Sequence, residues 1–192
     1  MTGRFPVDDV IEQMFEILKS CGKITGKRGE PQAVFAKGER TMQIRRGCEA
    51  DTERLVALAG QIFETEQEIP RALTPLPPEN HPQWWCVEED GALLGGVALY
   101  WEDNAWHMGR FVISPELRGR HVGTVLLETA LTDIFAQDIR EVTMEARDTT
   151  VHILKKFGAE TTGAPFSFYR GTVTPMRLTR EAFWNSHTGG QI

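Results

Sequence analysis

The sequence is short of the features that hold secreted, membrane and metal-stapled chains together. Its three cysteines, Cys21, Cys48 and Cys86, are an odd number at wide spacings among 192 residues, with no Cys-x-x-Cys pair and no nearby histidine pair. That excludes a disulfide framework and a zinc module, and no metal is expected. No apolar run reaches the roughly 18 residues of a membrane helix. The start, Met1 to Asp9 with Pro6, Asp8 and Asp9, lacks the charged-then-apolar layout of a secretory signal. The expected location is the cytoplasm, with no membrane partner. Positive charge is in the minority, 21 Lys+Arg against 27 Asp+Glu for a net −6, so no nucleic-acid partner is expected, because such surfaces draw on many Lys and Arg contacts to phosphate. Tyrosine is scarce as well, with Tyr100 and Tyr169 the only two. Repeats and low-complexity tracts are absent. What remains is an ordinary soluble composition, 41% hydrophobic and 25% charged, long enough for one domain with an appendage.

Behind Pro6, the residues Val7, Val10, Ile11, Met14, Phe15, Leu18 and Cys21 recur at helical spacing, which predicts an amphipathic helix over residues 7–20 ending near Gly22. Its apolar stripe must pack on the main domain or on a partner subunit, which leaves a homodimer open. Gly22 to Arg40, rich in Gly and Lys with Pro31, reads as a loop or linker. Beyond it the elements alternate. Thr41–Arg46 reads as a strand and Thr52–Phe63 as a helix capped by Asp51, with Leu55, Val56, Leu58, Ala59, Ile62 and Phe63 on its buried side. Five prolines from Pro70 to Pro82 mark a long irregular connection. Three strand patterns follow, Gln83–Glu88, Ala92–Trp101 and Ala105–Ile113, joined by the turn sequences Glu89-Asp90-Gly91 and Glu102-Asp103-Asn104 as an antiparallel meander. A helix of about 15 residues after Gly123, a strand near Glu141–Ala146, a helix near Thr149–Phe157 and two strands around Phe166–Tyr169 and Thr172–Leu178 complete a mixed α/β (α+β) pattern.

The stretch that carries chemistry is Phe111-Val112-Ile113-Ser114-Pro115-Glu116-Leu117-Arg118-Gly119-Arg120-His121-Val122-Gly123-Thr124, a strand passing through a short loop into a helix. The first turn of a helix offers N–H groups with no intrahelical partner and the positive end of the macrodipole. Gly119 and Gly123 allow close backbone approach, and Arg118 and Arg120 add full charges. This is an anion site, better suited to a diphosphate than to a carboxylate.

In this order of elements, the stretch resembles the GNAT family of N-acetyltransferases over about residues 43–178, with the family's Arg/Gln-x-x-Gly-x-Gly/Ala pattern on Arg118 to Gly123. The resemblance implies a central, mostly antiparallel mixed sheet with flanking helices over residues 43–180, to which residues 1–42 add a helix and linker and residues 181–192 a tail. It implies acetyl-CoA or another acyl-CoA as donor, bound at Arg118, Gly119, Arg120, His121, Val122, Gly123 and Thr124. The backbone of Phe111, Val112 and Ile113 would pair with the pantetheine arm, and the Phe111 N–H would face the thioester oxygen. His121 stands where the family has its first motif glycine. Leu154 stands where it has a tyrosine that reprotonates the thiolate, and Arg147 where a strand-to-helix Asn is common.

The acceptor amine must lose a proton. Counting back from Ile113, one strand face carries Phe111, Gly109 and His107, and His107 is the candidate base, against a packing role beside Trp106. Tyr169 is the candidate acid, with Tyr100 as the other phenol. Glu102 and Asp103 at a hairpin tip are weaker candidates for proton transfer. Trp85 or Trp106 could wall the acceptor cleft, and Glu64, Glu66 and Glu68 could attract a cationic amine or simply face water. The expected acceptor is a small-molecule or peptide amine. An acyl-CoA-binding module without turnover is the competing expectation.

Overall fold

A computed structural model describes residues 31–37 and 40–188, with side chains from Met42 to His187. The helix expected over residues 7–20 lies outside them. The first strands are β1 (Pro31–Lys37) and β2 (Arg40–Arg46), paired antiparallel with Phe35 opposite Met42. The expected linker to Arg40 therefore holds a strand: the run Ala33-Val34-Phe35-Ala36, inconspicuous among Gly and Lys, suffices to pair once β2 supplies a template.

Helix α1 (Glu49–Gln67) buries Leu55, Ala59 and Ile62. Its N-cap is Cys48, where Asp51 was expected. Asp51 sits one turn in, accepting the Cys48 N–H at 2.9 Å while its carboxylate grips Arg45, so the reciprocal part of a capping box and an ion pair share one side chain. The proline-rich connection folds into two short 3-10 turns, Arg71–Leu73 and Pro78–Asn80. The meander follows as β3 (Gln83–Glu89), β4 (Ala92–Glu102) and β5 (Ala105–Ile113). Helix α2 (Val122–Ala136), β6 (Glu141–Ala146), α3 (Asp148–Lys156), β7 (Glu160–Thr161), β8 (Phe166–Ser167), β9 (Thr172–Thr179) and α4 (Arg180–Thr188) complete the chain. The segment expected as a terminal tail thus begins as a helix, which plants the fully buried Phe183 against Phe135 and Phe157.

The strands run β1-β2-β3-β4-β5-β6-β9-β7, with β8 on β9, and β5 with β6 is the parallel pair. Helix α2 crosses one face and is buried on nearly all sides. Leu126, Leu127, Leu131 and Ile134 are fully buried there with Val97, Leu99 and Val142, each aliphatic side chain contributing about 1.5–3 kcal/mol. Helix α1 covers the other face through Leu55 on Trp84 and Ala98, and through Ala59 and Ile62 on Val112. Among the described residues no helix is long and apolar enough to cross a membrane.

Candidate active site

The sheet opens at its centre. β4 and β5 pair along nearly their whole length, whereas β5 and β6 meet at one register point, His107 opposite Thr143, and then diverge. The gap is a cleft of about 500 Å³, lined on one side by Met108 to Phe111 and on the other by Met144 to Arg147. Backbone groups on the splayed edges have lost their sheet partner and require another.

A bulge shapes the cleft wall. Gly96 pairs with Val112 and Ala98 with Gly109, so Arg110 and Phe111 together face Val97, and Arg110 takes a left-handed φ of 55°. The extra residue breaks the alternation counted from the sequence. Phe111 and Ile113 lie on the α2 face, while His107 and Gly109 share the α1 face with Tyr100. Counting by twos placed all four on one face, and one inserted residue separates them into two pairs.

His107 lines the cleft with its ring stacked on Tyr100, centroids 5.6 Å apart. The Thr143 hydroxyl donates to the Trp106 carbonyl at 3.3 Å and lies 3.2 Å from His107 Nδ1. The two contacts compete for the single hydroxyl proton: when it goes to Trp106, the hydroxyl accepts from Nδ1–H and Nε2 carries the lone pair. Nε2 is buried without a partner. Tyr100, 8% exposed, brings its hydroxyl within 3.2 Å of where a Cβ on Gly109 would stand, so the missing side chain at 109 gives the phenol its place against the bulge. Burial pushes the Tyr100 phenol above its ordinary pKa, opposed by the nearby Arg110 and reinforced by Glu102 and Glu145. Tyr169, by contrast, is 49% exposed, packs edge-on against Phe168 and is not part of the cleft lining. Leu154 lines the cleft with an apolar side chain. Trp85 is fully buried, donating Nε1–H to Asp133 at 3.0 Å, and neither it nor Trp106 walls the cleft.

The loop after β5 enters α2, whose Leu127 lines the cleft. Gly119 has φ 72° and open space where a Cβ would point, and His121 takes the left-handed N-cap at φ 58°. Arg120 and His121 are exposed, Thr124 half-buried and Val122 buried. The N–H groups of Val122, Gly123 and Thr124 form the first turn and lack intrahelical acceptors. Gly123 is a packing glycine: a Cβ there would stand 3.0 Å from Phe111 Cζ and 3.3 Å from Ile113 Cγ1. Arg118 donates through Nε to the Ile113 carbonyl at 3.0 Å and through Nη2 to Glu66 at 2.9 Å. Val112 packs under α1, and Ile113 is half-buried. A splayed strand edge, a glycine turn and a helix N-terminus thus follow one another in the chain.

The model of the acetyltransferase (GNAT) domain family matches residues 53–180. The chain belongs to the GNAT acetyltransferase family. Solved GNAT structures share its fold at low identity. An acyl-CoA N-acyltransferase from Pseudomonas aeruginosa is 18% identical, with 72% of this chain and 99% of that one covered at a TM-score of 0.60. A phosphinothricin acetyltransferase from Sinorhizobium meliloti, solved with AcCoA, is 16% identical, covering 72% and 88% at 0.59. A spermidine N-acetyltransferase from Vibrio cholerae, solved with CoA and spermine, is 18% identical, covering 75% and 98% at 0.55. No curated protein matches the chain. Glu64, Glu66 and Glu68 are each held by an arginine of another segment in this GNAT domain, Arg71, Arg118 and Arg170 respectively. Of the two phenols, Tyr100 lines the cleft, on β4 across from His107, and Tyr169 does not.

Proposed function

We propose that the protein transfers an acetyl group from acetyl-CoA to a primary amine of a small-molecule or peptide acceptor by direct attack in a ternary complex. The observation that carries this reading is the divergence of β5 from β6 after the single His107–Thr143 point, running straight into the glycine turn and N-terminus of α2. An extended amide-bearing arm fits the splayed edge along Phe111, Val112 and Ile113. A diphosphate fits the N–H groups of Val122, Gly123 and Thr124, with Gly119, Arg118, Arg120 and His121 around it.

In the attack, the amine nitrogen bonds to the thioester carbon and its proton passes to the His107 imidazole once the ring turns a nitrogen to the cleft. Charge develops on the thioester oxygen, which the Phe111 N–H at the bulge faces. Collapse breaks the carbon–sulfur bond and the electron pair leaves on sulfur. The Tyr100 hydroxyl, kept protonated by burial, protonates that thiolate in place of the tyrosine that Leu154 replaces. An acceptor that enters as an ammonium releases one further proton to solvent.

Calorimetry with acetyl-CoA, followed by thiol release over a panel of amines, tests this. Binding that Arg118→Glu weakens at least about tenfold, with thiol release that depends on an amine, is the expected result. No heat on titrating acetyl-CoA overturns the phosphate loop. Binding without transfer to any amine leaves a non-catalytic acyl-CoA-binding module as the better reading.

A further inference from the structure

The backbone of the bulge has no need of an arginine. Arg110 sits there in the left-handed region at φ 55°, which glycine adopts at less cost, so the reason for arginine lies in what its side chain reaches. Half-buried, it donates through Nε to the Thr74 carbonyl at 2.9 Å and through Nη2 to the Leu73 carbonyl at 3.1 Å, at the end of the first 3-10 turn of the proline-rich connection. Held by these two bonds, the guanidinium carbon lies over the Tyr100 ring, 5.5 Å from its centroid. The same ring stacks on His107. Tyr100 is paired with His107 along the strands, yet its hydroxyl comes within 3.2 Å of the Cβ position of Gly109, two residues further toward the bulge. The phenol therefore leans along β5 toward Arg110.

The charge around this phenol is uneven. Burial opposes its ionisation, as do Glu102 on its own strand and Glu145 on β6, whereas Arg110 favours it. From α1 and the proline-rich connection it meets the apolar Leu55 and Leu76. A proton donor to sulfur is sensitive to that balance. A free thiol has a pKa of about 8.5 and a phenol of about 10, so transfer from phenol to thiolate runs uphill even in water. Burial steepens the climb. A cation within about 4–6 Å of the forming phenolate recovers on the order of one pH unit or more. Once the proton is on sulfur, the phenolate takes another from solvent.

Resting on the acetyl-transfer reading, we infer that Arg110 is a positioning residue: pinned by the Leu73 and Thr74 carbonyls, its guanidinium seats the Tyr100 phenol against the bulge and supplies the charge that lets it hand its proton to the leaving thiolate. The proline-rich connection thereby sets the place of the acid without contributing a proton itself.

A double-mutant cycle on the full chain tests this, following thiol release from acetyl-CoA with butylamine as the probe amine. Arg110→Gly keeps the left-handed backbone and removes the guanidinium, while Arg110→Lys keeps the charge but cannot span both carbonyls and the ring. Arg110→Gly should lower kcat by about fivefold or more with calorimetric acetyl-CoA affinity held within about threefold, and Arg110→Lys should recover part of the loss. In a Tyr100→Phe background, itself slower by about tenfold or more, Arg110→Gly should make no further difference. Carbon-13 NMR of labelled tyrosine reads the seating without turnover. The chain has two tyrosines, which Tyr169→Phe assigns, and Arg110→Gly should move the onset of Tyr100 ionisation up by about half a pH unit or more. Losses that multiply in the double variant, acetyl-CoA affinity that falls with the rate, a rate that Tyr100→Phe leaves unchanged, or a Tyr100 titration that Arg110→Gly does not move overturns this inference. No heat on titrating acetyl-CoA overturns the acetyl-transfer reading instead, and the Tyr100 titration then decides by itself whether Arg110 seats the phenol.

Discussion

Asp51→Asn probes how firmly α1 is anchored, and its cost can be worked out from the contacts. Asp51 Oδ2 lies 2.6 Å from Arg45 Nη1 and Oδ1 lies 3.0 Å from Nη2, a two-pronged pair with side chains 4% and 9% exposed. Oδ2 also takes the Cys48 N–H. Asparagine keeps one oxygen for these donors but turns an NH₂ toward the guanidinium and removes the charge. Breaking one side of a buried pair costs about 3–5 kcal/mol. Because Glu88 still faces Arg45, the expected loss is near the lower end, about 3 kcal/mol, or about 6–12 °C in Tm for a domain of this size. The Arg45 bond holds the Asp51 carboxyl well below the ordinary carboxylate range, against the opposing effect of burial. A lowered folded pKa gives stability that is complete above the unfolded value near 4 and is lost as pH falls toward the folded one. The gap between wild type and variant should therefore hold from pH 7 to about 5, then close below pH 4 at up to about 1.4 kcal/mol per pH unit. Urea melts across that range measure it. A gap under about 1 kcal/mol at pH 7, or one that stays constant into acid, would refute the reasoning.

Other perturbations separate chemistry from packing. His107→Ala should lower kcat by about 10²-fold or more at neutral pH while calorimetry finds acetyl-CoA affinity retained; an unchanged rate would move the base elsewhere. Gly123→Val should push the start of α2 off Phe111 and Ile113, weakening acetyl-CoA binding and lowering Tm together, whereas Gly119→Ala meets no neighbour and costs only the strain of φ 72°, about 1 kcal/mol. At His187, burial against Phe157 and Phe183 lowers the pKa, but the bonds to Glu128 Oε1 at 3.1 Å and the Phe183 carbonyl outweigh it, for a net rise. Its contribution to docking α4 is complete below pH 6.5 and is lost as pH rises through the folded value; thermal melts of Glu128→Gln from pH 6 to 8 should lack that dependence.

The meander, α2 and β6 were legible because each is specified locally: period-two runs between Asp-Gly and Asp-Asn turns, and an apolar segment with glycine at its entry. The family followed from the same stretch, since strand, glycine turn and helix N-terminus are adjacent in the chain. The bulge at Arg110 was not legible. Gly109 precedes it, but the left-handed residue is Arg110, an arginine that carbonyls of the proline-rich connection hold in place, a contact made across 36 residues. The side of the sheet occupied by His107 depended on that one residue. The placement of Tyr100 in the cleft was hidden for the same kind of reason. Its access to the bulge depends on the absence of a side chain at Gly109, and that relation appears only when β4 and β5 are set in register.

The last turn of α1 joins these parts. Glu66 holds Arg118 of the loop entering α2, Gln67 holds Arg147 at the end of β6, and Glu68 faces Arg170 beyond β8, so three consecutive residues reach three separate segments around the cleft. The Gln67 carbonyl takes the Arg170 N–H as well, at 3.1 Å. A diphosphate arriving at α2 would compete with Glu66 for Arg118, and that pair, 44% and 37% exposed, is worth no more than about 1 kcal/mol. The competition is therefore weak enough not to bar the donor. It nevertheless acts on the turn whose residues Phe63, Gln67 and Ile69 line the cleft, and any coupling this contact carries between ligands of the cleft and of the α2 N-terminus is bounded by the same small energy, because a ligand can shift an equilibrium only by its differential affinity for the two states.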